Sequence, residues 1–308
     1  MAPILLLSWL AACDPVAQDS GGVPGDLDVH GAFQLELVPE ADGSGQAAIL
    51  GRLYDGATPE NVIWEIADTD GSCELLTPRI PFCDPGCTGS EACVEDGVCE
   101  PYPTAIDAGL VTVEGVETVA GEAGFTMESI AGYYQPPAGV ALAWPPFAEG
   151  DVVRFSAAGS AASAPFSMTA HGIAPLEVTS GTVDLPDGES VTVTWTQSSQ
   201  PDLADLFVSI NISYHAGTKG LLRCEVSDTG SLQLSASLLD GLKALGVSGW
   251  PIIVYSRVSE GTSDPQAPAR LFVESSVTDD VTIPGLVSCT GDADCPDGQS
   301  CLGDFQCG

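Results

Sequence analysis

Cysteine is the residue type with the most chemistry to offer in this 308-residue chain, which carries 11 of them. Cys83, Cys87, Cys93 and Cys99 are separated by three, five and five residues, and Cys289, Cys295, Cys301 and Cys307 by five, five and five. The trailing halves, C-TGSEA-C-VEDGV-C and C-PDGQS-C-LGDFQ-C, form an internal repeat. Such sets either hold a metal as thiolates or oxidise in pairs. Structural zinc favours tighter hooks of two to four intervening residues, so the spacing points to disulfides. The loops between these cysteines contain Gly, Asp and Glu but few apolar side chains. A piece of about 20 residues built this way has no core, and cross-links must hold it. Each set of four allows three pairings, and the spacing does not choose among them. Cys73 and Cys224 remain. The simplest assignment pairs them, clipping one half of the chain to the other; in the alternative, Cys73 pairs within the first cluster and frees one of its members for Cys224.

Oxygen chemistry comes next. Asp68-Thr69-Asp70-Gly71 and the loop carrying Asp292, Asp294 and Asp297 place acids at the alternate positions from which a tight loop can direct oxygens at calcium. Neither completes an EF-hand loop: Arg79 stands where the first would need its bidentate Glu, and Pro296 interrupts the second. The competing use of Asp and Gly is to make turns. Catalytic patterns are scarce. His30, His171 and His215 are the three histidines, with no His-Glu-x-x-His pair, no Gly-x-Ser-x-Gly elbow and no phosphate-cradling loop ending in Lys-Ser or Lys-Thr. The 43 acids make any one carboxylate pair uninformative as a glycosidase dyad. Tyr133-Tyr134 and Trp144-Pro145-Pro146-Phe147 are the aromatic stretches able to stack on a sugar or peptide; burial under a sheet edge is the expected use.

The elements that must position these residues read as strands. Phe33–Val38, Ala48–Leu50, Val62–Ile66, Leu110–Val113, Phe125–Met127, Val152–Phe155 and Pro165–Met168 are short runs between Gly, Pro and Asp. The first cysteine cluster is an insertion among them, and residues 171–176 read as a crossing. Ser190–Trp195, Leu206–Ile212, Leu222–Val226, Ser231–Leu234, Ile252–Tyr255 and Leu271–Glu274 form a second series, with Ser237–Leu245 the one short helix. Turns every 8–12 residues predict antiparallel sandwiches. The fold class expected is all-β: two antiparallel β-sandwich-like domains, 31–175 and 176–280, with disulfide-stapled modules at 83–99 and 281–308. The second domain carries one cysteine, so "immunoglobulin-like" or "fibronectin-like" describes its architecture and not a family.

The amino terminus carries an address. An apolar run from Ala2 to Ala12 is too short to span a bilayer, which takes about 20 residues, but it fits the core of an export signal. Leu10-Ala11-Ala12-Cys13 follows and resembles the lipobox of bacterial lipoproteins. The resemblance implies cleavage before Cys13, diacylglycerol on its thiol and acylation of the new amino terminus. Residues 1–12 are then the signal peptide and 13–30 the lipidated cysteine and its tether. The alternative is an ordinary signal peptide with Cys13 as a disulfide partner, for which Leu10 is large. The whole layout resembles predicted lipoproteins of myxobacteria and related deltaproteobacteria. The resemblance is carried by LAAC at 10–13, PFCDPGCTGSEACVEDGVCEPYP at 81–103, CEVSDTGSLQLSASLL at 224–239 and CTGDADCPDGQSC at 289–301. It implies a cell-envelope location, the outer membrane or cell surface, and little chemistry.

Charge narrows the partners. Forty-three acids against eight basic residues give −35, all of it beyond residue 12. Nucleic acid is excluded, because phosphate affinity comes from Lys and Arg. With 44% hydrophobic residues the chain is not a disordered acidic tail. The expected function is a non-enzymatic, membrane-anchored envelope protein, without cofactor unless calcium is structural, that meets a surface protein or polysaccharide. A calcium-dependent adhesive module and a carbohydrate-active envelope hydrolase are the rival readings.

Overall fold

The computed structural model describes residues 31–262 and 269–308, and alternating apolar and polar residues build many of its strands. Cys13 and His30 lie outside the described residues. The first segment supplies β1 (Gly31–Pro39), β2 (Gly45–Leu53), β3 (Ile63–Asp70) and β4 (Cys73–Arg79). The cysteine insertion contributes the small hairpin β5 (Glu91–Glu95) and β6 (Val98–Pro101). Then come β7 (Val111–Glu114), β8 (Gly124–Met127), β9 (Ser129–Ile130), β10 (Tyr133–Tyr134), β11 (Val152–Ala157) and β12 (Phe166–His171). Beyond the crossing lie β13 (Val183–Asp184), β14 (Val191–Thr194), β15 (Asp205–Asn211), β16 (Leu221–Val226) and β17 (Ser231–Leu234). Helix α1 (Ala236–Ala244) precedes the long strands β18 (Ile252–Thr262) and β19 (Arg270–Thr282). The fold is all-β, with this one α-helix among the described residues.

One 11-stranded sheet, ordered β3-β4-β16-β15-β18-β19-β1-β2-β10-β9 with β13 also on β19, forms the spine. Its inner face is covered differently at its two ends. At one, the four-stranded sheet β12-β11-β7-β8 closes a core of Phe33, Leu35 and Leu37 against Val111, Val113, Phe155, Met168, Leu271 and Val273. At the other, the β14–β17 ribbon and α1 close a core of Val208, Ile210, Leu222, Ile253 and Tyr255 against Val193, Leu234, Leu238 and Leu242. Gly51 belongs to the first core: a side chain there would run into the ring of Phe33 packed over β2.

The two cores follow the sequence division at residue 175 except for two exchanges. The β3–β4 hairpin, from the first segment, pairs with β16 and places Leu75 in the second core. The amino-terminal end of β19, from the second, pairs with β1 and places Leu271 and Val273 in the first. The sheet is therefore continuous across the division, and the expectation of purely antiparallel sheets is corrected: β1–β19 and β13–β19 are parallel. The local alternation that marks a strand does not encode which distant strand lies beside it. A strand of 13 residues, roughly 40 Å at 3.3 Å per residue, is long enough to serve both cores. The outer edge of the sheet at β3 is blunted by exposed acids and by a bulge between Ile66 and Asp68.

Where the cores meet, an arginine is buried. Arg257 of β18, 1% exposed, donates from Nε to Asp228 Oδ2 at 3.0 Å, from Nη1 to Ala174 O at 3.0 Å and from Nη2 to Thr196 O at 2.8 Å. Asp228, also 1% exposed, accepts from Trp195 Nε1 at 2.7 Å and from the Ser198 amide at 3.1 Å. Burial pulls the guanidinium below its usual value, against the fields of Asp228 and Glu149. Glu149 reaches the same loop from the first segment, accepting from the Ser198 and Ser199 hydroxyls and the Gln200 amide. Burial pushes its carboxyl up; those hydrogen bonds outweigh it and hold it below the ordinary range. Asp228→Ala strands the guanidinium and the indole N–H, and should remove about 3–5 kcal/mol, read as a lower urea midpoint in the oxidised protein.

The opposite face of β19 carries a second buried acid. Glu274 is 7% exposed, takes a hydrogen bond from Gln34 Nε2 at 2.9 Å and lies in register with Glu36 on β1. Burial pushes its carboxyl above the ordinary 4.5, with Glu36 adding to the push and Ser256 and Gln34 pulling back. The folded state thus holds this proton more tightly than the unfolded chain, so stability falls as pH rises from 4.5 through the raised value. Glu274→Gln should raise the melting temperature at pH 7 and flatten that slope, as thermal unfolding across pH 4–8 will show.

Candidate functional site

The ten cysteines beyond Cys13 all form disulfides. Cys83–Cys93 and Cys87–Cys99 staple the first module; Cys289–Cys301 and Cys295–Cys307 staple the second. Both join first to third and second to fourth, which resolves the pairing that spacing left open. The repeat extends to the backbone: Cys93 faces Cys99 across the β5–β6 hairpin, and Cys301 faces Cys307 across a single β-bridge. Three sulfurs in each module lie within 4.8 Å of one another, a metal-like grouping. Their disulfide bonds consume the thiolates that a metal would need. Cys73 and Cys224 pair as the simpler assignment has it, directly opposite each other on β4 and β16. The bond joins adjacent strands of one sheet.

The second module is seated on the body at a single glycine. Gly249 donates its amide to Asp304 O at 2.8 Å, and its carbonyl accepts from Ser288 Oγ at 2.6 Å and Gln306 Nε2 at 2.7 Å. Beside it, the Phe305 ring packs on Trp250 with centroids 5.2 Å apart, continuing a row through His215 and Tyr214. Phe305 has φ 63°, and the first module carries Gly97, at φ 78°, in the equivalent place between its third and fourth cysteines. His215, at φ 64°, is a second non-glycine residue in the left-handed region within this one ring row. Neither the cysteine spacing nor the strand alternation marks this seat in the sequence. Its one trace was Phe305 standing where the repeat has a glycine.

Among the calcium candidates, Asp68, Asp292 and Asp294 accept from backbone amides. Asp294 Oδ2 accepts from the Thr290 amide at 2.8 Å, the Thr290 hydroxyl at 2.8 Å and the Gly291 amide at 3.2 Å. Those donors, led by the Thr290 amide, hold its carboxyl below the ordinary range. Asp292 Oδ1 accepts from the Cys301 amide at 2.8 Å, and Asp297 is exposed in the loop beyond Cys295. Asp68 accepts from the Thr69 amide, next to the Gly71 turn that joins β3 to β4. Asp68, Asp292 and Asp294 thereby hold their own loops in shape.

The aromatic stretches divide by burial. Tyr134 is fully buried against Phe33, its hydroxyl donating to Asp107 at 3.0 Å and accepting from the Ala108 amide at 2.7 Å. Burial and the Asp107 carboxylate push that phenol up to about 12. Phe147 is buried and Trp144 packs on the first core. Tyr133 stays half-exposed, with the Arg52 guanidinium over its ring at 4.3 Å. His171 ends β12, while His215 lies in the loop after β15; the fold places them on different elements. Two surface depressions, of about 350 and 520 Å³, lie at the β3–β4 turn beside α1 and near Pro146–Asp151. Asp70 is the one carboxylate of the first; Glu117 and Asp151 line the second, where Asp151 accepts from the Ala148 amide.

No known protein family profile matches the chain, and no curated protein sequence matches it.

Burial ranks the disulfides. Cys73 and Cys224 are 4% and 0% exposed, whereas Cys83, Cys87, Cys93 and Cys99 are all half-buried. Mild reduction of the native protein should therefore open the first module before the sheet disulfide. Differential alkylation read by mass spectrometry checks this, with label on Cys73 and Cys224 appearing only on global unfolding.

Proposed function

We propose that the chain is a non-enzymatic protein of the bacterial cell envelope, exported, anchored through lipid on Cys13, and displaying a double-cored β-body with two disulfide modules for interaction at the surface. The observation that carries the reading is the cysteine balance. Five disulfides account for ten of the 11 cysteines, so Cys13, directly after Leu10-Ala11-Ala12, has no cysteine left in the chain to pair with. Five disulfides also suit an oxidising compartment outside the cytosol. A single acyl chain holds a protein only reversibly, whereas several at about 0.8 kcal/mol per buried methylene hold it firmly, and a triacylated cysteine supplies them. No helix among the described residues is long and apolar enough to cross a membrane. The acids support a display role, since those resolved in loops hydrogen-bond their own turns. The partner is an exposed protein or polysaccharide of the envelope.

Mass spectrometry of the native, unreduced protein tests the anchor. The amino-terminal peptide should begin at Cys13 and carry diacylglycerol and an N-acyl chain, and Cys13→Ser should move the protein from the membrane fraction to the soluble one. An unmodified Cys13 peptide overturns the reading.

A further inference from the structure

The internal repeat exposes a comparison within one molecule. When the two modules are aligned on their cysteines, Phe82 corresponds to Ser288 and Val98 to Gln306. Ser288 and Gln306 are the two side chains that seat the second module on Gly249, and both lie on the face where they bridge each other as a β-pair. The first module closes the equivalent loop with a different set of bonds: the Phe82 amide donates to Asp96 Oδ1 at 2.9 Å and the Phe82 carbonyl accepts from the Gly97 amide at 3.0 Å, whereas in the second module the Phe305 amide donates to Leu302 O and the Cys289 amide to Phe305 O. Its face is not seated in this way. Phe82 is 73% exposed, Val98 42% and Ile80, two residues before Phe82, 69%. Where the seated copy has polar groups that fit a body backbone, the free copy presents apolar side chains to water.

From this we infer that the seating face of the first module, Ile80, Phe82 and Val98, docks a second protein that presents an apolar centre with a basic rim. Charge selects that occupant. Asp84, Glu95 and Asp96 are exposed in the same module, Asp96 accepting from the Phe82 amide, and Arg79, next to Ile80 in the chain, is already paired with Glu65 at 3.1 Å and with Asp96 at 3.5 Å. A second copy of this chain brings the same acidic rim and a net −35, so like charges oppose self-docking. An anionic lipid surface is opposed for the same reason. A saccharide needs polar groups to fix its hydroxyls, and this centre is aliphatic and phenyl carbon. Two disulfides hold the module rigid, so docking loses little ordering entropy, and an apolar centre containing an aromatic ring with a polar rim is the common anatomy of an interface. The inference rests on the module being oxidised and exported, and not on the lipid.

A benzophenone amino acid placed at position 82 in the source cells, with Val119, also 73% exposed, as the control position, tests it. The expected result is one heterologous protein adduct at 82 and none at 119. The Kd of the purified pair should then rise at least tenfold in Phe82→Ser and in Val98→Gln, and should rise further with added salt. Both variants carry the residue that the seated copy already has at that place, and intact Cys83–Cys93 and Cys87–Cys99 bonds confirm their folding. No adduct, an adduct to lipid or to a second copy, or an unchanged Kd in both variants overturns the proposal. Cys13 acylation is read on the same samples, so an acylated protein that yields no adduct defeats the docking face alone.

Discussion

A guanidinium shut away from water must find partners for its N–H groups and a counter-charge, or the state that buries it is lost. Arg257 meets that requirement by drawing several distant parts of the chain to one point. Ala174 and Pro175 are the crossing between segments, Thr196 follows β14, and Asp228 sits in the turn between β16 and β17. Asp228 is shared with the Trp195 indole and the Ser198 amide, so the turn, the ribbon and the crossing are fixed together. Glu149 extends the network to the first segment through Ser198 and Gln200. Hydrophobic burial is non-directional and would tolerate several ways of laying the β14–β17 ribbon over the sheet. The donor geometry of one arginine selects among them.

That selection matters because the two cores share a wall. A continuous sheet with a different cover at each end cannot be assembled by stacking two finished domains. β19 must lie beside β1 for the first core and beside β13 for the second, and both pairings are parallel. Nearly the whole described chain separates β1 from β19. The pairing is therefore a late, long-range contact whose loop-closure entropy is offset only when both cores are in place. Cys73–Cys224 and the β3–β4 exchange act in the same direction, tying first-segment strands into the second core. The division at residue 175 organises the cores while the backbone hydrogen bonds ignore it.

Most strands were legible in the sequence because alternation is a local property. β1, β12, β14 and β15 bury alternate side chains as their apolar residues indicate, and the repeat of cysteine spacings foretold a repeat of folds. What stayed hidden was of two kinds. β4 reads Cys-Glu-Leu-Leu-Thr-Pro-Arg and lacks alternation, because it sits between two strands and buries Leu75 and Leu76 to opposite faces. Neighbour choice, including both parallel pairings, is global and leaves no local pattern. Between these lies Arg257. Ile253, Tyr255, Arg257 and Ser259 occupy the buried parity of β18, so a charged residue on an inward position was visible and was a sign of a buried partner. The module pairings were not legible, since neither set of spacings chooses among the three.

The charge takes its meaning from the same loops. A β-protein with this many turns leaves backbone N–H groups without ladder partners at each one, and those groups must be satisfied. Asp55 accepts from the Thr104 amide, Asp96 from Phe82, Asp107 from Gly109, Asp151 from Ala148, and Asp294 from Thr290 and Gly291. A carboxylate does this well because it accepts on two oxygens and favours charge-assisted bonds. Metal binding at the same residues would have to compete with these donors. Asp68, Asp292 and Asp294 thus serve the conformation of their own loops. At a net −35 the like charges of the surface repel one another, and salt screens that repulsion.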